Sequence, residues 1–412
     1  MTSPTPSNDP VQTQYEQWVY PEPIPDLSDP QGRKVRDGGD PDVLGNAYWP
    51  DRPPRRNLQI LIAGCGSNAA ARYAFHHPDA TVTGVDLSET SLAHERRLKE
   101  KHQLANLSLH KCRIEDVESL GQSFDLVDST GVLHHLPEPE RGIEALAKVL
   151  RPDGVMFLML YGTYGRVGVY MLQRLFRMLG LGQSPADVAF AKQALGALKT
   201  DHWGRAYIDR STDLHFDAGI VDTFLHPQDR AYTVADCLAL LEGAGLTLQG
   251  WMDNCFYYPE WQMARDHPLF ERLSGLPEPQ LWQAMELFHG RISTHSFFAC
   301  HRTRDPASYR VDFNRPDFMA MAPMRRFGLV CFTGTDGTVS LERAPFPKIT
   351  LRDAHAAIFR QVDERRTIGE CFRASGIHAG SEDIATSFCR GMFRDLWRLG
   401  YVDLVFPSAL AR

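Results

Sequence analysis

The sequence lacks three patterns that would place it in special classes of protein. Its eight cysteines are scattered without a CxxC pair or a Cys/His cluster at zinc spacing, which is typical of reduced, mostly buried thiols and predicts no metal site. No basic segment followed by an apolar stretch opens the chain, so no secretory signal is predicted and a cytoplasmic location is expected. The most apolar stretch, residues 155–182, is interrupted by Arg166, Arg174 and Arg177. Arginines are costly inside a bilayer, so we expect no membrane span.

An excess of basic residues is also missing. The chain has 44 Lys and Arg against 51 Asp and Glu, a net charge of -7, which gives no electrostatic reason to expect nucleic-acid binding. The composition, 43% hydrophobic and 23% charged, is that of an ordinary globular protein. A length of 412 residues predicts two domains, or one enlarged domain with an attached module.

The first part of the chain, residues 1–56, is rich in proline, aspartate and polar residues and predicts an extended arm rather than a domain. Within it, the segment YEQWVYPEPIP carries Tyr15, Trp18, Val19 and Tyr20 next to several prolines. Such an aromatic segment can close over a pocket, or it can simply lie on the surface.

From Leu58 to Tyr161, short apolar runs alternate with helical stretches. This rhythm predicts an α/β fold with a Rossmann-like, seven-stranded, mostly parallel sheet and helices on both faces. The next strand candidates are LTLQGWM at 246–252 and SFFACHR at 296–302, which we interpret as an antiparallel pair that closes the sheet. Residues 162–233 then form an inserted cap above the carboxyl ends of the strands, where ligands bind in such sheets. The predicted domain spans residues 57–305.

The last part, residues 309–412, has a different pattern. Two strand-like segments, 327–332 and 338–341, flank the turn TGTDGT, which suits a β-hairpin. Helices are predicted over 351–363, 367–375 and 382–399, and the segment YVDLVF at 401–406 is strand-like. We interpret this part as a small, winged-helix-like α+β domain.

The motif that indicates chemistry is ILIAGCGSNA, in which an apolar strand runs into Gly64-Cys65-Gly66 and then a helix. Glycines permit a tight turn and a close approach of the backbone to a ligand. Asp86 ends the next strand, 22 positions after Gly64, where a carboxylate can accept hydrogen bonds from both ribose hydroxyls. This much also fits the fingerprint of dinucleotide-binding proteins.

Further motifs follow in order along the chain: IED at 114–116, FDLV at 124–127, VLHHL at 132–136 and LRPDG at 150–154. Taken with GCG and VD, they resemble the class I S-adenosylmethionine (SAM) dependent methyltransferases of the UbiE-like group, type 11 or 12. The resemblance covers residues 58–161 and implies that the cofactor is SAM. It implies Gly64 and Gly66 at the methionine part, Asp86 at the ribose, Glu115 and Asp116 near the adenine, and the loop 129–132 beside the sulfonium. The cofactor-binding residues expected from it are Ala63, Gly64, Cys65, Gly66, Asn68, Asp86, Leu87, Glu115, Asp116, Ser129, Gly131 and Val132.

Two positions depart from the family pattern. Ile62 stands two places before the first glycine, where family members often have an acid that orients the methionine amino group, so other groups or water must replace that acid. Asn68 stands where a third glycine is common, and asparagine tolerates a positive φ angle.

Methyl transfer from SAM mainly requires alignment of an acceptor lone pair with the methyl carbon and exclusion of water. A general base matters for hydroxyl or carbon acceptors. His134 and His135 either supply that base or shape the loop after the fourth strand. Tyr161, Tyr164, Arg166 and Tyr170 either bind a planar or anionic acceptor or pack in the core. The catalytic residues predicted are His135, Tyr161, Tyr164 and Arg166.

Two further clusters are candidates for the acceptor side. The segment DTFLHPQDRAYT either caps the acceptor or forms a salt-bridged loop, and Thr233 is predicted to cap the helix that follows. The segment DNCFYYPEW is expected to line the same cavity. The polar and aromatic residues concerned are Asp222, His226, Asp229, Arg230 and Tyr232 in the first segment and Asp253, Asn254, Tyr257 and Tyr258 in the second.

The leading functional interpretation is a methyltransferase acting on a small molecule or a carrier-borne metabolite. A second has a peptide, protein or RNA acceptor recruited by the C-terminal module, because DAHAAIFRQVDERRTIGECF resembles in rhythm the PqqD-like winged helices that bind precursor peptides. Nucleic acid ranks lower, since the arginines of that module are balanced by acids. Homodimerisation is another use of such a module. A non-catalytic protein that has lost SAM and an NAD-dependent reductase remain alternatives.

Overall fold

The computed structural model describes residues 9–29, 38–344, 346 and 348–410. These residues form two compact units. The first contains the described residues up to 29 with 56–248 and 286–302, and the second contains 38–55, 249–285 and the residues from 303 onward. The expected boundaries near 56 and 305 differ from this division. Segments 38–55 and 249–285 belong to the second unit, where for example Phe406 donates its backbone N–H to Pro50 O over 2.6 Å.

The first unit is built on a seven-stranded sheet with the order β3-β2-β1-β4-β5-β7-β6. Its strands are β1 Gln59–Ala63, β2 Thr81–Asp86, β3 Leu107–Lys111, β4 Phe124–Thr130, β5 Leu150–Tyr161, β6 Leu246–Trp251 and β7 Thr294–His301. β1 runs parallel to both β2 and β4, whereas β7 runs antiparallel to β5. The Rossmann-like, mostly parallel sheet predicted from the sequence is confirmed, including its closing pair of late strands.

The RPDG segment, residues 151–154, forms part of a strand, whereas its Pro-Asp-Gly sequence is typical of a turn. β5 already begins at Leu150 and includes residues 151–154. The register between β4 and β5 shifts between Phe124 and Leu126, so the extra residues are accommodated as an irregularity within the strand rather than as a turn before it.

Helices connect the strands of this sheet, and the ends of one of them, α4 (Glu89–His102), show ordinary capping chemistry. In α4, the Ser88 side chain accepts the N–H of Ser91, Glu89 lies in the first turn, and Lys99 and Lys101 lie in the last turn, as the helix dipole favours. Outside the insertion, the helices of the described residues in the first unit are α1 Pro10–Gln17, α3 Ala69–His76, α4 Glu89–His102, α5 Pro139–Val149 and α10 Val234–Gly243, whereas α12 Glu278–His289 begins among residues of the second unit and ends among those of the first.

The predicted insertion, residues 162–233, is helical. It contains α6 Val167–Met178, α7 Pro185–Gly196, α8 Arg205–Ile208, α9 Asp217–Ile220 and a π-helical turn, Val221–Leu225. These elements bury their own apolar cluster, which includes Val169, Phe176, Val188 and Phe224. Thr233 caps the N-terminus of α10 in a reciprocal capping box with Asp236. The prediction that Thr233 is the helix N-cap is therefore confirmed.

The arm is partly helical, which corrects the expectation of an extended segment. Asp9 accepts the N–H groups of Val11 and Gln12, and Pro10 occupies the first helical position. Because an aspartate cap followed by proline favours a helix start, Tyr15 lies on α1 rather than in extended chain. Residues 1–8 and 30–37 of the predicted arm lie outside the described residues.

The second unit contains α2 Pro41–Tyr48, α11 Pro268–Ser274 and the C-terminal elements. These are β8 Ala322–Arg325, β9 Val330–Thr333, β10 Val339–Glu342, β11 Ile349–Leu351, α13 Asp353–Phe359, α14 Ile368–Ala374, α15 Glu382–Arg398, β12 Val402–Val405 and α16 Pro407–Leu410. The hairpin, three helices and final strand are confirmed. β9, β10 and β11 form one sheet, and β12 pairs with β8 in another. The winged-helix interpretation stays a prediction.

All eight cysteines are free, and six of them are buried, as expected for reduced thiols. Among the helices of the described residues, none has both the length and the apolar character that a membrane crossing requires.

Candidate functional site

A cavity of about 290 Å³ opens in the first unit at the carboxyl ends of β1, β2 and β4. Its lining comes from the arm, from the glycine turn and the helix that follows it, and from the carboxyl ends of β2 to β5 with the segments after them. Ligands bind at this edge of open α/β sheets because several loops converge there. The cavity is therefore the candidate site.

The glycine turn is held in a conformation that only glycine adopts easily. Gly64 and Gly66 have φ angles of 83° and 56°, and the N–H groups of Gly64 and Cys65 both donate to Val85 O. A Cβ atom on Gly64 would lie 2.4 Å from Val132 Cγ2. The turn and the loop after β4 therefore approach each other so closely that a side chain at position 64 would collide with Val132.

Asp86 lies at the end of β2 with both carboxylate oxygens engaged by the backbone. Oδ2 accepts the N–H of Gly66 and Oδ1 accepts the N–H of Ser88, each over 2.8 Å. Burial raises the pKa of Asp86, and these backbone hydrogen bonds counteract the rise. Since a carboxylate oxygen can accept more than one hydrogen bond, Asp86 is suited to receive two ribose hydroxyls.

Most of the predicted cofactor residues border the cavity, and three do not. Ala63 and Ser129 are buried within their strands, and Asp116 lies on the exposed side of the 3-10 helix at 114–120. The predicted residues that line the cavity are Gly64, Cys65, Gly66, Asn68, Asp86, Leu87, Glu115, Gly131 and Val132.

Asn68 differs from the expectation of a positive φ angle. Its φ is -157° and it occupies the cap position of α3. Its Nδ2 donates to Glu22 O over 3.2 Å, and its buried Oδ1 has no hydrogen-bond partner in the described part of the chain. The asparagine thus ties the arm to the glycine turn and presents an acceptor at the cavity.

The position of the absent acid is filled by an apolar side chain. Ile62 lines the cavity, and its partner in the register of the neighbouring strand is Asp128. Asp128 also lines the cavity, accepting hydrogen bonds from Tyr73 and Thr130 hydroxyls. Sequence reasoning missed Asp128 and Tyr73, although the alignment of FDLVD with LQILI as adjacent parallel strands could have indicated the acid.

The arm closes over the cavity, which confirms one of the two alternatives left open by the sequence. Tyr15, Tyr20 and Pro21 line the cavity. Ser88 Oγ donates to Tyr15 O over 3.0 Å and Ser67 Oγ donates to Pro21 O over 2.7 Å. The arm therefore contacts both cofactor turns directly.

Two ionic anchors fix α1 in this position. The Glu16 carboxylate accepts the N–H groups of Glu89 and Thr90 at the start of α4, which is a favourable place for an anion. At the other end of α1, Arg113 Nη1 lies 2.9 Å from Asp9 Oδ2.

A buried acid lies on the insertion beside the cavity. Asp222 belongs to the π-helical turn, a type of turn that is frequent at functional sites. Its Oδ1 accepts the Tyr15 hydroxyl over 2.8 Å and its Oδ2 accepts the Tyr161 hydroxyl over 3.3 Å. Burial raises the pKa of Asp222, and the neighbouring His135 opposes the rise.

Two histidines stack next to this acid. The rings of His135 and His226 are 3.8 Å apart and nearly parallel. His135 Nδ1 lies 3.0 Å from Gln228 O, so that nitrogen donates and Nε2 carries the lone pair. This Nε2 is buried without a hydrogen-bond partner in the described part of the chain, and His135 lines the cavity.

His226 has the opposite tautomer. Its Nδ1 accepts the N–H of Gln228 over 3.1 Å, so the proton of the neutral ring lies on Nε2. Burial lowers the pKa of His226 well below its usual value. One atom each of His135, Asp222 and His226 lie within 4.8 Å of one another. The Gln228 N–H occupies Nδ1 of His226 and the Tyr15 hydroxyl lies 3.5 Å from its Nε2, so both nitrogens of this ring have hydrogen-bond partners.

The other acceptor candidates divide between site and core. Tyr161 lines the cavity. Arg166 is buried with its guanidinium 3.6 Å from the Tyr161 ring centre and bonds the Tyr207 hydroxyl, and Tyr170 donates to Gly162 O. Tyr164 is 37% exposed. Neither Tyr164 nor Arg166 is among the residues that line the cavity. The structure therefore places both outside the candidate site, with Arg166 in the core, and their catalytic role stays a prediction.

The remaining candidates have structural partners. His134 is buried with its ring 3.8 Å from that of Tyr161, and Arg230 forms an ion pair with Glu140, so part of the 222–232 segment is the salt-bridged loop that was considered. The segment of Asp253 and Asn254 belongs to the second unit and is not among the residues lining the cavity, because Asn254 bonds Trp397 O and Asp253 pairs with Arg343.

Comparison with known sequences identifies the central part of the first unit. Residues 61–158 match the methyltransferase domain family. An uncharacterized protein of Synechococcus sp. is 29% identical over 261 residues, covering 61% of this chain and 62% of its own length. A ubiquinone biosynthesis O-methyltransferase of Neisseria meningitidis is 32% identical over 100 residues, 24% of this chain and 42% of that protein. The chain thus spans less than two thirds of each relative.

Comparison with solved structures extends the likeness of fold beyond that domain. PKMT2 from Rickettsia typhi, solved in complex with AdoHcy, has a TM-score of 0.65 and 16% sequence identity, with 89% of this chain and 75% of that chain covered. At this identity the likeness concerns the fold alone. Its coverage extends well past residues 61–158.

Proposed function

We propose that the protein methylates a hydroxyl group of a small or carrier-borne acceptor. The premise is that this chain carries a class I SAM-dependent methyltransferase domain with SAM as its cofactor. The methyl donor supplies an activated methyl group when it is bound. The chain then has to bind the cofactor, orient the acceptor, exclude water and remove the hydroxyl proton.

The observation that carries the proposal is the free nitrogen of His135. Its Nε2 is buried, lacks a hydrogen-bond partner among the described residues and belongs to a ring that lines the cavity. The Gln228 carbonyl fixes the tautomer that leaves this lone pair available. A neutral imidazole is suited to take the proton of a hydroxyl group near neutral pH, whereas free amines and thiolates need no base.

The walls of the cavity support a small acceptor. The arm contributes Tyr15 and Tyr20 and the central sheet contributes Tyr161, so aromatic surface surrounds the space next to His135. Such surfaces bind planar or apolar molecules. The cavity of about 290 Å³ is partly open to solvent, so we expect the bound cofactor and acceptor together to exclude water from the transfer.

The cofactor side of the proposal assigns separate tasks to separate residues. Asp86 accepts the ribose hydroxyls, the glycine turn lets the backbone approach the methionine part, and Glu115 lies at the adenine end. Gly131 and Val132 lie in the loop that faces the reacting centre. The orphaned Oδ1 of Asn68 fits a ligand that offers a hydrogen-bond donor beside the glycine turn.

The test uses the full chain with radiolabelled SAM and a panel of phenols, catechols, aliphatic alcohols, amines and thiols. We expect transfer to a hydroxyl compound, and a loss of about 100-fold or more in kcat for His135→Asn, the scale of a missing general base. His134→Phe is the matched control, because it retains an aromatic ring beside Tyr161 and His134 has no side-chain hydrogen bond in the described structure.

Three results would contradict the proposal. Transfer only to amines or thiols would remove the need for a base. Full turnover of His135→Asn with a hydroxyl acceptor would remove His135 from the chemistry. Absence of binding of S-adenosylhomocysteine at millimolar concentration in calorimetry would favour a protein that keeps the fold without the cofactor.

A peptide acceptor is the second candidate, and one observation favours it. β9 is an edge strand in the order β11-β10-β9, and its Val330 and Phe332 are 48% and 52% exposed. Exposed edges pair with extended peptides. If β9 recruits a peptide acceptor, Phe332→Lys should raise the KM for that peptide at least tenfold and leave the affinity for S-adenosylhomocysteine unchanged.

A further inference from the structure

The cofactor site lacks the acid that usually orients the methionine amino group, and a different acid lies beside the position where that acid would stand. Ile62 occupies that place on β1, and Asp128 is its register partner on β4. We propose that Asp128 binds the α-ammonium group of the cofactor and takes over the task of the missing acid. This inference rests on the proposed function, because it requires SAM in the cavity.

The register explains why Asp128 can reach the same space. Neighbouring strands are roughly 4.8 Å apart, and paired residues project from the same face of a sheet. Both Ile62 and Asp128 line the cavity. A carboxylate on β4 at the position paired with Ile62 therefore lies within one strand spacing of the place that the acid on β1 occupies in other family members.

The surroundings of Asp128 hold the carboxylate in one orientation. Tyr73 donates its hydroxyl to Oδ2 over 2.5 Å, and Thr130 donates its hydroxyl to Oδ1 over 2.7 Å. The side chain of Asp128 is buried and so is Tyr73. Hydroxyl donors favour the ionised form of a carboxylate, and an ionised carboxylate in a buried site is a strong partner for an ammonium group.

The location along the cofactor is also appropriate. Tyr73 belongs to α3, the helix that follows the glycine turn, and Thr130 lies immediately before Gly131 in the loop after β4. The carboxylate therefore lies between the turn assigned to the methionine part and the loop assigned to the sulfonium. In the cofactor itself, the α-ammonium group is separated from the sulfonium by only a short chain of carbon atoms.

The test compares ligands that differ only in the methionine part, using calorimetry on the full chain. The wild type should bind S-adenosylhomocysteine more tightly than its des-amino analogue. Asp128→Asn should weaken S-adenosylhomocysteine about 10- to 100-fold, the scale of a charge-assisted hydrogen bond, and abolish the preference between the two ligands. Binding of 5′-methylthioadenosine, which has no amino-acid part, should change less than about threefold and shows that the site is folded.

Two further variants sharpen the result. Tyr73→Phe keeps the charge and removes the donor that orients it, so it should reduce the preference for the amino group by a smaller factor. Ile62→Asp in the Asp128→Asn background puts an acid back on β1 and should restore at least part of the lost affinity.

Each outcome is decisive. An equal loss for all three ligands in Asp128→Asn would overturn the inference in favour of a structural role, and so would unchanged binding of S-adenosylhomocysteine. If the wild-type chain binds neither S-adenosylhomocysteine nor 5′-methylthioadenosine, the proposed function fails together with this inference. A wild type that binds both, with no effect of Asp128→Asn, overturns this inference alone.

Discussion

The Tyr15 hydroxyl donates a 2.8 Å hydrogen bond to Asp222 Oδ1, across 207 positions of sequence. The donor lies on the arm and the acceptor lies on the inserted helices, and both belong to the first unit. Asp222 also accepts the Tyr161 hydroxyl, so one buried acid connects the arm, the insertion and the central sheet at the edge of the cavity. Closure of the arm is thereby linked to the residues beside the acceptor.

Tyr15→Phe should destabilise the closed arm. The variant removes one hydrogen bond to a buried carboxylate, so we expect the free energy of unfolding to fall by about 1–3 kcal/mol in denaturant titrations. We also expect faster hydrogen exchange in residues 10–17. Tyr20→Phe is the matched control, since its bond to Asp213 is exposed and should contribute less than about 1 kcal/mol. Equal effects of the two variants would show that burial of the Asp222 contact is unimportant.

Asp86→Ala should weaken cofactor binding. The loss of a carboxylate that accepts ribose hydroxyls is expected to reduce the affinity for S-adenosylhomocysteine by about 1–3 kcal/mol in calorimetry. Asp116→Ala is the control, because Asp116 was expected near the adenine but is exposed and is not among the residues that line the cavity. The affinity of this variant for S-adenosylhomocysteine should stay at the wild-type value. A comparable loss in both variants would restore Asp116 to the site, and no loss in Asp86→Ala would remove Asp86 from it.

The sheet could be predicted because its signals are local. Apolar runs of five or six residues that alternate with amphipathic helices define the strands, and glycines at Gly64 and Gly66 define the turn whatever the rest of the chain does. Asp86 was found for the same reason, since its distance from Gly64 is set by one βαβ unit. The cap at Thr233 was also predicted from a local pattern.

The missed residues depend on contacts between distant segments. Asp128 became a candidate only when the register placed it beside Ile62, and Tyr73 became one only when its hydroxyl was found to bond Asp128. Arg166 was overvalued for a related reason. A cation among tyrosines has the same sequence pattern in a binding site and in a core, and only its stacking over Tyr161 separates them. The units differ from the predicted domains because residues 249–285, which begin inside β6, join the second unit.

Glu95 should make stability depend on pH. Burial raises the pKa of Glu95 from its ordinary value of 4.5 to about 8. The N–H groups of Ala70 and Ala71 donate to the carboxylate and counteract part of this rise. Between these two values the unfolded chain releases the proton while the folded chain retains it. The folded state therefore loses stability as the pH rises from about 4.5 to about 8.

Glu95→Gln removes this titration and keeps one acceptor for the start of α3. The difference in unfolding free energy, variant minus wild type, should increase in favour of the variant across that pH range and level off above it. Denaturant titrations at pH 5, 6.5 and 8 measure it. A difference that stays constant over the three values would show that Glu95 is already ionised in the folded chain at pH 5, held so by its two backbone donors.

Arg166→Lys should reduce stability without changing cofactor binding. The guanidinium lies 3.6 Å from the Tyr161 ring centre and bonds Tyr207, and lysine cannot reproduce that planar stacking although it keeps the charge. We expect a loss of about 1–3 kcal/mol in unfolding free energy. Affinity for S-adenosylhomocysteine should stay within about twofold, because Arg166 does not line the cavity. Tyr164→Phe, at an exposed position, should change neither quantity. If Arg166→Lys instead leaves stability intact and raises the KM for the acceptor, the arginine binds substrate and the assignment to the core is wrong.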